Sequence, residues 1–462
     1  MKFCNNKRFS FGGYLLFLSL LFIAETKAQS TFLLEIQIDS STTSFENFGG
    51  FGAEWDSRNY TAMGINDNDF KIITDRIEWM KMPITRIMML TKWCYDGRGG
   101  YSWDNENMQA LYKHLDYCQN KGIDVVLCEW GIEPEWLNIG ELNKVDNPKY
   151  AEAIGEYMDY LLNTKNYTCI KYFELVNEPN FETQSFERWY EAVKNVYNEF
   201  IKRRIYYRLY FAGPGSSESN YWYNTTVDIL WNIISTYTFH KYAKIEEVKN
   251  GSFHEYVKDM TDYVYINDPD SKNKKVILGE AGMRDGQTTS ANTNINSYYY
   301  GMFMADYAIQ AARRGIHAVI AWMLDDNSHP DFQWGLWNNK KEGMKLRPWF
   351  YTWSLLTHCF PKGSTIYRIN SRSIDVRAMA AKISIIGKWS FCIVNLSDKS
   401  ITAQIKIPDE EIQNFEHYIY SEASALRNEK GFPKPVDSLE INLNDGVDVE
   451  CPGNSVTFLT SQ

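Results

Sequence analysis

The sequence lacks most of the common signatures for binding metals, nucleotides or nucleic acid. Its eight cysteines form no Cys-x-x-Cys pair, which argues against a zinc knuckle or a thiol redox motif. Basic charge is in deficit, 48 Lys and Arg against 58 Asp and Glu, for a net charge of −10. So acidic a chain disfavours DNA, RNA and anionic membranes as partners. No apolar run approaches the roughly 20 residues needed to cross a bilayer. No Gly-rich phosphate fingerprint follows an apolar run of strand type, which weakens a nucleotide-binding reading. Repeats and low-complexity tracts are absent.

What is present begins with aromatics: 15 Trp, 31 Tyr and 25 Phe make up 15 % of 462 residues. Such a surplus serves either a large aromatic core or a surface that stacks flat ligands such as sugar rings. A hydrophobic share of 44 % with 23 % charged residues is that of a folded globular protein with room for two or three domains. At the start, Lys2, Lys7 and Arg8 precede a mostly apolar run from Tyr14 to Ala24, and Thr26-Lys27-Ala28 places small residues at the −3 and −1 positions. This has the shape of a secretory signal cleaved after Ala28, so the mature protein is expected to be secreted or periplasmic. Cys4 lies before the apolar run and cannot be the lipid-bearing cysteine that follows a lipoprotein signal. The remaining seven cysteines, an odd number, read mostly as small buried hydrophobes.

Short β-rich runs then alternate with amphipathic helical stretches such as Tyr150–Asn163 and Ser185–Arg204. The strand readings are Phe48–Phe51, Ile84–Leu90, Ile123–Glu129, Tyr172–Val176, Arg208–Ala212, Ile234–Phe239, Val276–Gly279 and Ala318–Trp322. The residues that end them (Glu54, Arg86, Trp130, Glu178, Ser216, Tyr242, Glu280, Trp322) fall 26 to 48 residues apart, about one β-loop-α-loop unit each time. Eight such units predict an α/β fold, a (β/α)8 TIM barrel; a doubly wound open sheet seldom needs eight. Beyond Pro361 the texture changes. Ile401–Ile407 alternates with Ile401, Ala403, Ile405 and Ile407 on one face, and similar short runs recur to the C-terminus. That period of two predicts a C-terminal antiparallel β-sandwich. The expected division is a signal peptide over 1–28, a barrel over 29–360 and a sandwich over 361–462. Residues 31–38 also alternate and are expected to join the sandwich, since a closed barrel has no free edge.

Functional groups of such a barrel gather where strands end. Glu178 and Glu280 both follow apolar strands, where a carboxylate is desolvated at a cost that calls for a reason. Two of them, three strands apart on one barrel mouth, suggest a catalytic pair rather than two structural ions. A metal-dependent hydrolase on this fold commonly carries His-x-His after the first strand, and nothing of the kind stands near Gly50–Glu54.

Asn177-Glu178-Pro179 at the end of the fourth strand and Gly279-Glu280 at the end of the seventh resemble the acid/base and nucleophile motifs of the retaining glycoside hydrolases of clan A. Arg86, His240, Tyr242 and Trp322 also resemble the active-site set of cellulase family 5. One position departs: that family usually has a His after strand three, where this chain has Cys128-Glu129-Trp130. The run from Trp130 to Trp136 is instead similar to a Trp-rich loop of family 30, and the appended sandwich resembles families 30 and 39. The resemblance implies a β-glycosidase with Glu178 as acid/base and Glu280 as nucleophile. It implies substrate contacts from Arg86, Trp130, Asn177, His240, Tyr242 and Trp322, a carbohydrate substrate, no cofactor, no metal, and a monomer. In that scheme Tyr242 and Arg86 hold Glu280 ionised, whose charge raises the pKa of Glu178. Asp325-Asp326, Trp334 and Trp337 follow strand eight, where they either bind sugar hydroxyls or solvate a loop. The alternative function is an inactive carbohydrate-binding protein on a glycosidase scaffold.

Overall fold

The computed structural model of the chain describes residues 32–38, 42–130, 142, 144–183, 185–410 and 412–462. The signal-like segment and the part of the Trp130–Trp136 run beyond Trp130 lie outside these residues. Two strands come first, β1 (Phe32–Gln37) and β2 (Thr43–Phe48). Eight parallel strands then close into a barrel: β3 (Gly50–Glu54), β4 (Ile84–Met89), β5 (Asp124–Glu129), β6 (Ile170–Leu175), β7 (Tyr210–Ser217), β8 (Thr236–Ala243), β9 (Lys275–Met283) and β10 (Ala318–Ala321). β10 pairs back onto β3, Ala318 opposite Gly50, so no edge remains open. Helices separate the strands, each started by local chemistry. Asn66 caps Asp67–Met80 by accepting from the Asp69 N–H, and the Asp69 carboxylate returns the bond.

Strand alternation builds the barrel interior in layers. Ile84, Val126, Tyr172, Ala212, Ile277, Ala318 and Ile320 form one buried apolar cluster. Two residues further along the same strands stand Arg86, Cys128 and Glu174, with the same inward direction. The apolar layer is thus a floor, and the layer above it is charged.

The C-terminal strands are β11 (Ser364–Ile369), β12 (Val376–Ile383), β13 (Lys388–Asn395), β14 (Ile401–Lys406), β15 (Ile412–Ser421), β16 (Asp437–Asn442), β17 (Val447–Cys451) and β18 (Ser455–Thr460). They form a seven-stranded antiparallel sheet, β16-β15-β18-β13-β12-β11-β2, and a three-stranded sheet, β1-β14-β17. Between the sheets Leu34, Ile36, Trp389, Phe391, Ile405 and Val449 share one core. β1 lies parallel to β14, Phe32 opposite Ile401. The other face of the large sheet packs on the barrel helices Tyr298–Ala312 and Phe350–Cys359, where Met379, Cys392 and Phe458 join the main core. Arg377 on β12 also donates to Asp306 of the first of these helices at 2.9 Å.

The expected first strand, Phe48–Phe51, divides between two elements. Phe48 ends β2, which pairs with β11, and Gly50 begins the barrel. Gly50 makes the switch at φ +109°, where a Cβ would also run into the Pro83 ring at 2.2 Å. All seven cysteines of residues 94–451 are free and buried.

Candidate active site

Above the apolar floor, Arg86 is wholly buried and holds three acids at once. Nη1 donates to Glu54 Oε2 and to Glu280 Oε1, each at 2.9 Å. Nη2 donates to Glu174 Oε1 and to Asn177 Oδ1, each at 2.7 Å, and reaches Cys128 Sγ at 3.2 Å. Nε adds a bond to Glu174 at 3.2 Å. Thr238 donates to the other oxygen of Glu174 at 2.6 Å. Burial works against the charge of Glu174, but Arg86, His240 and Thr238 outweigh it and hold this carboxyl below the ordinary value. Gly215, at φ +63°, clears the space, since a Cβ there would lie 2.8 Å from the Glu174 carboxyl carbon.

Glu178 stands at the end of the fourth barrel strand in a left-handed conformation, φ 45°, between Val176 at φ 72° and Pro179, which opens the short helix Pro179–Glu182. A left-handed β-branched residue is strained, and such strain gathers where a side chain must be aimed. Asn180 fixes the adjoining loops by trading two 3.0 Å bonds with the backbone of Ser217. Glu280, on the seventh barrel strand, takes a 2.8 Å bond from the Tyr242 hydroxyl.

His240 lies between the two glutamates. Its Nδ1 is 3.0 Å from Glu178 Oε1 and 3.6 Å from Glu280 Oε1. Burial pushes His240 down, but the charge of Glu280 and the bond to Glu178 prevail, and its pKa is raised. Burial likewise works to raise Glu178, yet His240 outweighs it and the carboxyl sits below its ordinary value. Glu280 is raised, mainly by burial and then by the charge of Glu178, against the pull of His240 and Arg86. The expectation of a raised Glu178 is therefore corrected for the free protein: His240 holds this carboxyl below its ordinary value. One oxygen of each glutamate and a ring nitrogen of His240 all lie within 4.8 Å of one another. A histidine and two carboxylates are a set that divalent cations take.

Of the residues read as substrate contacts, Trp130, Asn177, Tyr242 and Trp322 line a cleft of about 280 Å³ with both glutamates. Arg86 and His240 lie beneath it with no exposed surface. Asn177 spends its Oδ1 on Arg86, which leaves its amide N–H groups for the cleft. Trp334, Phe332 and Phe181 also line the cleft, and Phe181, 57 % exposed, stands on its rim three residues beyond Glu178. Trp337 is fully buried instead. Asp325 and Asp326, left open between sugar binding and loop solvation, are buried and do not line the cleft. Asp325 accepts the Tyr60 hydroxyl at 2.7 Å, and Asp326 accepts two backbone N–H groups, from Trp334 and Gly335, and pairs with Arg347 at 2.5 Å.

Sequence reasoning missed Glu54 and Glu174 as members of the site. The signal for Glu174 was present: an acid two residues after Tyr172 in an apolar strand must face the barrel interior. It also missed Asp56, which accepts the Met88 N–H at 2.6 Å and pairs with His329 at 3.1 Å. His329 lies against Trp130, Trp322 and Phe332, ring centroids 5.2 to 5.4 Å away. No spacing in the sequence links residues so far apart.

A family model for cellulase (glycosyl hydrolase family 5) matches residues 38–205. Among solved structures, a GH30 endoxylanase from Clostridium papyrosolvens C71 is similar with a TM-score of 0.66 at 12 % identity, covering 93 % of this chain and 99 % of that one. The fold is that of clan A glycoside hydrolases. A GH39 enzyme from Xanthomonas axonopodis pv. citri gives 0.61 at 12 % identity, covering 93 % and 97 %. A conserved exported protein from Bacteroides fragilis gives 0.66 at 10 % identity, covering 92 % and 99 %. No curated protein matches the sequence. The match by sequence to family 5 and by fold to families 30 and 39 agrees with the mixed motifs of the chain. Among the described residues no helix is long and apolar enough to cross a membrane.

Proposed function

We propose that the chain is an exported retaining β-glycoside hydrolase that cleaves O-glycosidic bonds of a poly- or oligosaccharide by double displacement. One observation carries the reading. Glu178 and Glu280, at the ends of the fourth and seventh barrel strands, bring carboxylate oxygens within 4.8 Å across His240. A retaining pair needs its carboxyl groups about 5–5.5 Å apart, whereas an inverting pair needs about 6.5–9.5 Å to admit a water between them.

In the first step Glu280 attacks the anomeric carbon as the bond to the leaving oxygen breaks, and Glu178 gives that oxygen a proton. In the second, Glu178 takes a proton from water, whose oxygen displaces Glu280 from the sugar. Glu178 must hold a proton for this step, and His240 Nδ1, 3.0 Å from its Oε1, is placed to exchange one with it. The low pKa that His240 imposes on Glu178 suits the second step, where Glu178 must start as a base. Tyr242 and Arg86 hold Glu280 in rotamer and charge, and the Asn177 amide can donate to the sugar 2-hydroxyl, a bond that strengthens in the transition state. Trp130, Trp322 and Trp334 give flat faces for sugar rings. Export rests on the N-terminal signal pattern.

The test is covalent. A 2-fluoro glycoside with an activated leaving group should trap the enzyme, and peptide mapping should find the sugar on Glu280. A label on another residue, or proton NMR of the first product showing inverted configuration, would overturn the reading. A panel of nitrophenyl glycosides and polysaccharides names the sugar.

A further inference from the structure

Arg86 serves one acid too many. Donor counts rank its three partners. Glu174 receives three bonds, from Nε, Nη2 and Thr238, and Glu280 receives two, from Nη1 and Tyr242. Glu54 receives only a share of Nη1, which it divides with Glu280. No donor serves its second, buried oxygen, Oε1, and the carboxyl instead meets another acid, Asp56, in a contact that becomes a hydrogen bond only when one of the two carries a proton. A carboxylate oxygen left bare inside a protein is costly, whereas a hydroxyl in the same place carries no charge to desolvate. Three anions on one guanidinium would also leave the barrel with an unbalanced negative charge.

We propose that Glu54 is a positioning residue of the same site: as a neutral carboxylic acid it takes one hydrogen bond from Arg86 and leaves the guanidinium's charge to Glu280. This rests on Glu280 being the nucleophile. The groups that bear on Glu54 are Asp56, Arg86 and Glu280; of these Asp56 and Glu280 are anions that favour its neutral form, and Arg86 opposes them. Cys128 and Tyr242 also feel its charge, while Glu174 shares Arg86 with it and His329 pairs with Asp56 beside it. Burial is the largest influence, the anions add to it, and the Glu54 carboxyl lies well above its ordinary value. A neutral Glu54 orients the plane of Arg86 by a bond to its carbonyl oxygen, yet does not compete for the charge that keeps Glu280 ionised and ready to attack.

Two variants and one spectrum test this. The infrared difference between wild type and E54Q near neutral pH should contain the C=O stretch of a protonated carboxyl that the variant lacks. E54Q, which keeps a neutral acceptor, should lower kcat only several-fold and leave the acid limb of the kcat/KM profile in place. E54A, which removes the acceptor, should lower kcat about 100-fold with KM nearly unchanged, because Arg86 loses its orientation. The proposal is overturned by absence of the infrared band, by an acid limb displaced downward about one pH unit in E54Q (the mark of a lost anion), or by a wild-type kcat in E54A. If E54A does not fold, the band and the E54Q profile decide. If wild type cleaves no glycoside at all, the functional reading fails separately and the band alone decides the protonation of Glu54.

Discussion

His240 Nδ1 stands 3.0 Å from Oε1 of Glu178, so the two side chains hold one proton between them. On the proposed mechanism the pair, not either residue alone, titrates as the acid. His240 is raised by Glu280 and Glu178 against burial. Activity should therefore survive upward in pH to above the ordinary histidine value of about 6.5, then fall as the shared proton is lost. In H240N the proton can sit only on Glu178, which burial raises but which stays a carboxyl. The alkaline limb of kcat/KM should move to lower pH, read from a full pH profile on one nitrophenyl substrate. An unmoved limb would make His240 a structural residue.

The two glutamates should fail differently. E178A should slow substrates with poor leaving groups far more than those with good ones, since only the former need a proton. Azide should restore part of the rate on the good-leaving-group substrate and give a β-glycosyl azide. E280Q should lose about 10⁴-fold or more in kcat on every substrate, with no leaving-group dependence. An equal loss across substrates in E178A would mark Glu178 as structural.

Gly215 offers a test of the charged layer from the backbone side. At φ +63° it already occupies the left-handed region, and an alanine Cβ would lie 2.8 Å from the Glu174 carboxyl carbon, in a wall with no slack. G215A should cost about 1–2 kcal/mol from the backbone alone, read as a lower Tm. It should also lower kcat, because Glu174 can yield only by disturbing Arg86. A stable and fully active G215A would show that the layer is more compliant than its hydrogen bonds imply.

Truncation after Phe360 tests how the sandwich relates to the barrel. It removes β11 and β14, the partners of β2 and β1, and uncovers the helices Tyr298–Ala312 and Phe350–Cys359. Leu34 and Ile36 would lose a burial worth about 1.5–3 kcal/mol each. The expected product is insoluble or strongly destabilised, seen by solubility and thermal melting. A soluble truncated barrel with full activity on a small substrate would make residues 361–462 an independent appendage.

Much of this was legible in the sequence because buried parallel strands are apolar runs ended by polar residues, and Glu178, Tyr242, Glu280 and Trp322 stood in register with them. Boundaries were less so. Phe48 and Phe51 read as one run although Gly49-Gly50 between them is a turn mark, because the apolar flanks outweighed it; that turn sends one residue to the sandwich and the other to the barrel. β2 escaped because Thr43–Phe48 mixes polar residues and contains Asn47 at φ 57°, which breaks the alternation. The proton's place escaped for a different reason. Which of several buried acids is neutral depends on acids and donors brought together from five strands, and no local spacing encodes that count.

The parallel pairing of β1 with β14 also bears on how the chain can be made. Synthesis runs from the N-terminus, so Leu34 and Ile36 emerge early, while the strand that covers them, Ile401–Lys406, emerges almost last. Until then β1 is an apolar edge strand with no partner, the kind of surface that recruits other chains. Closing such a long loop is slow in proportion to its non-local contacts. A ribosome pause or a premature stop before Ile401 would thus release the barrel residues with a sticky first strand, and aggregation, not partial activity, is the natural fate of such a chain.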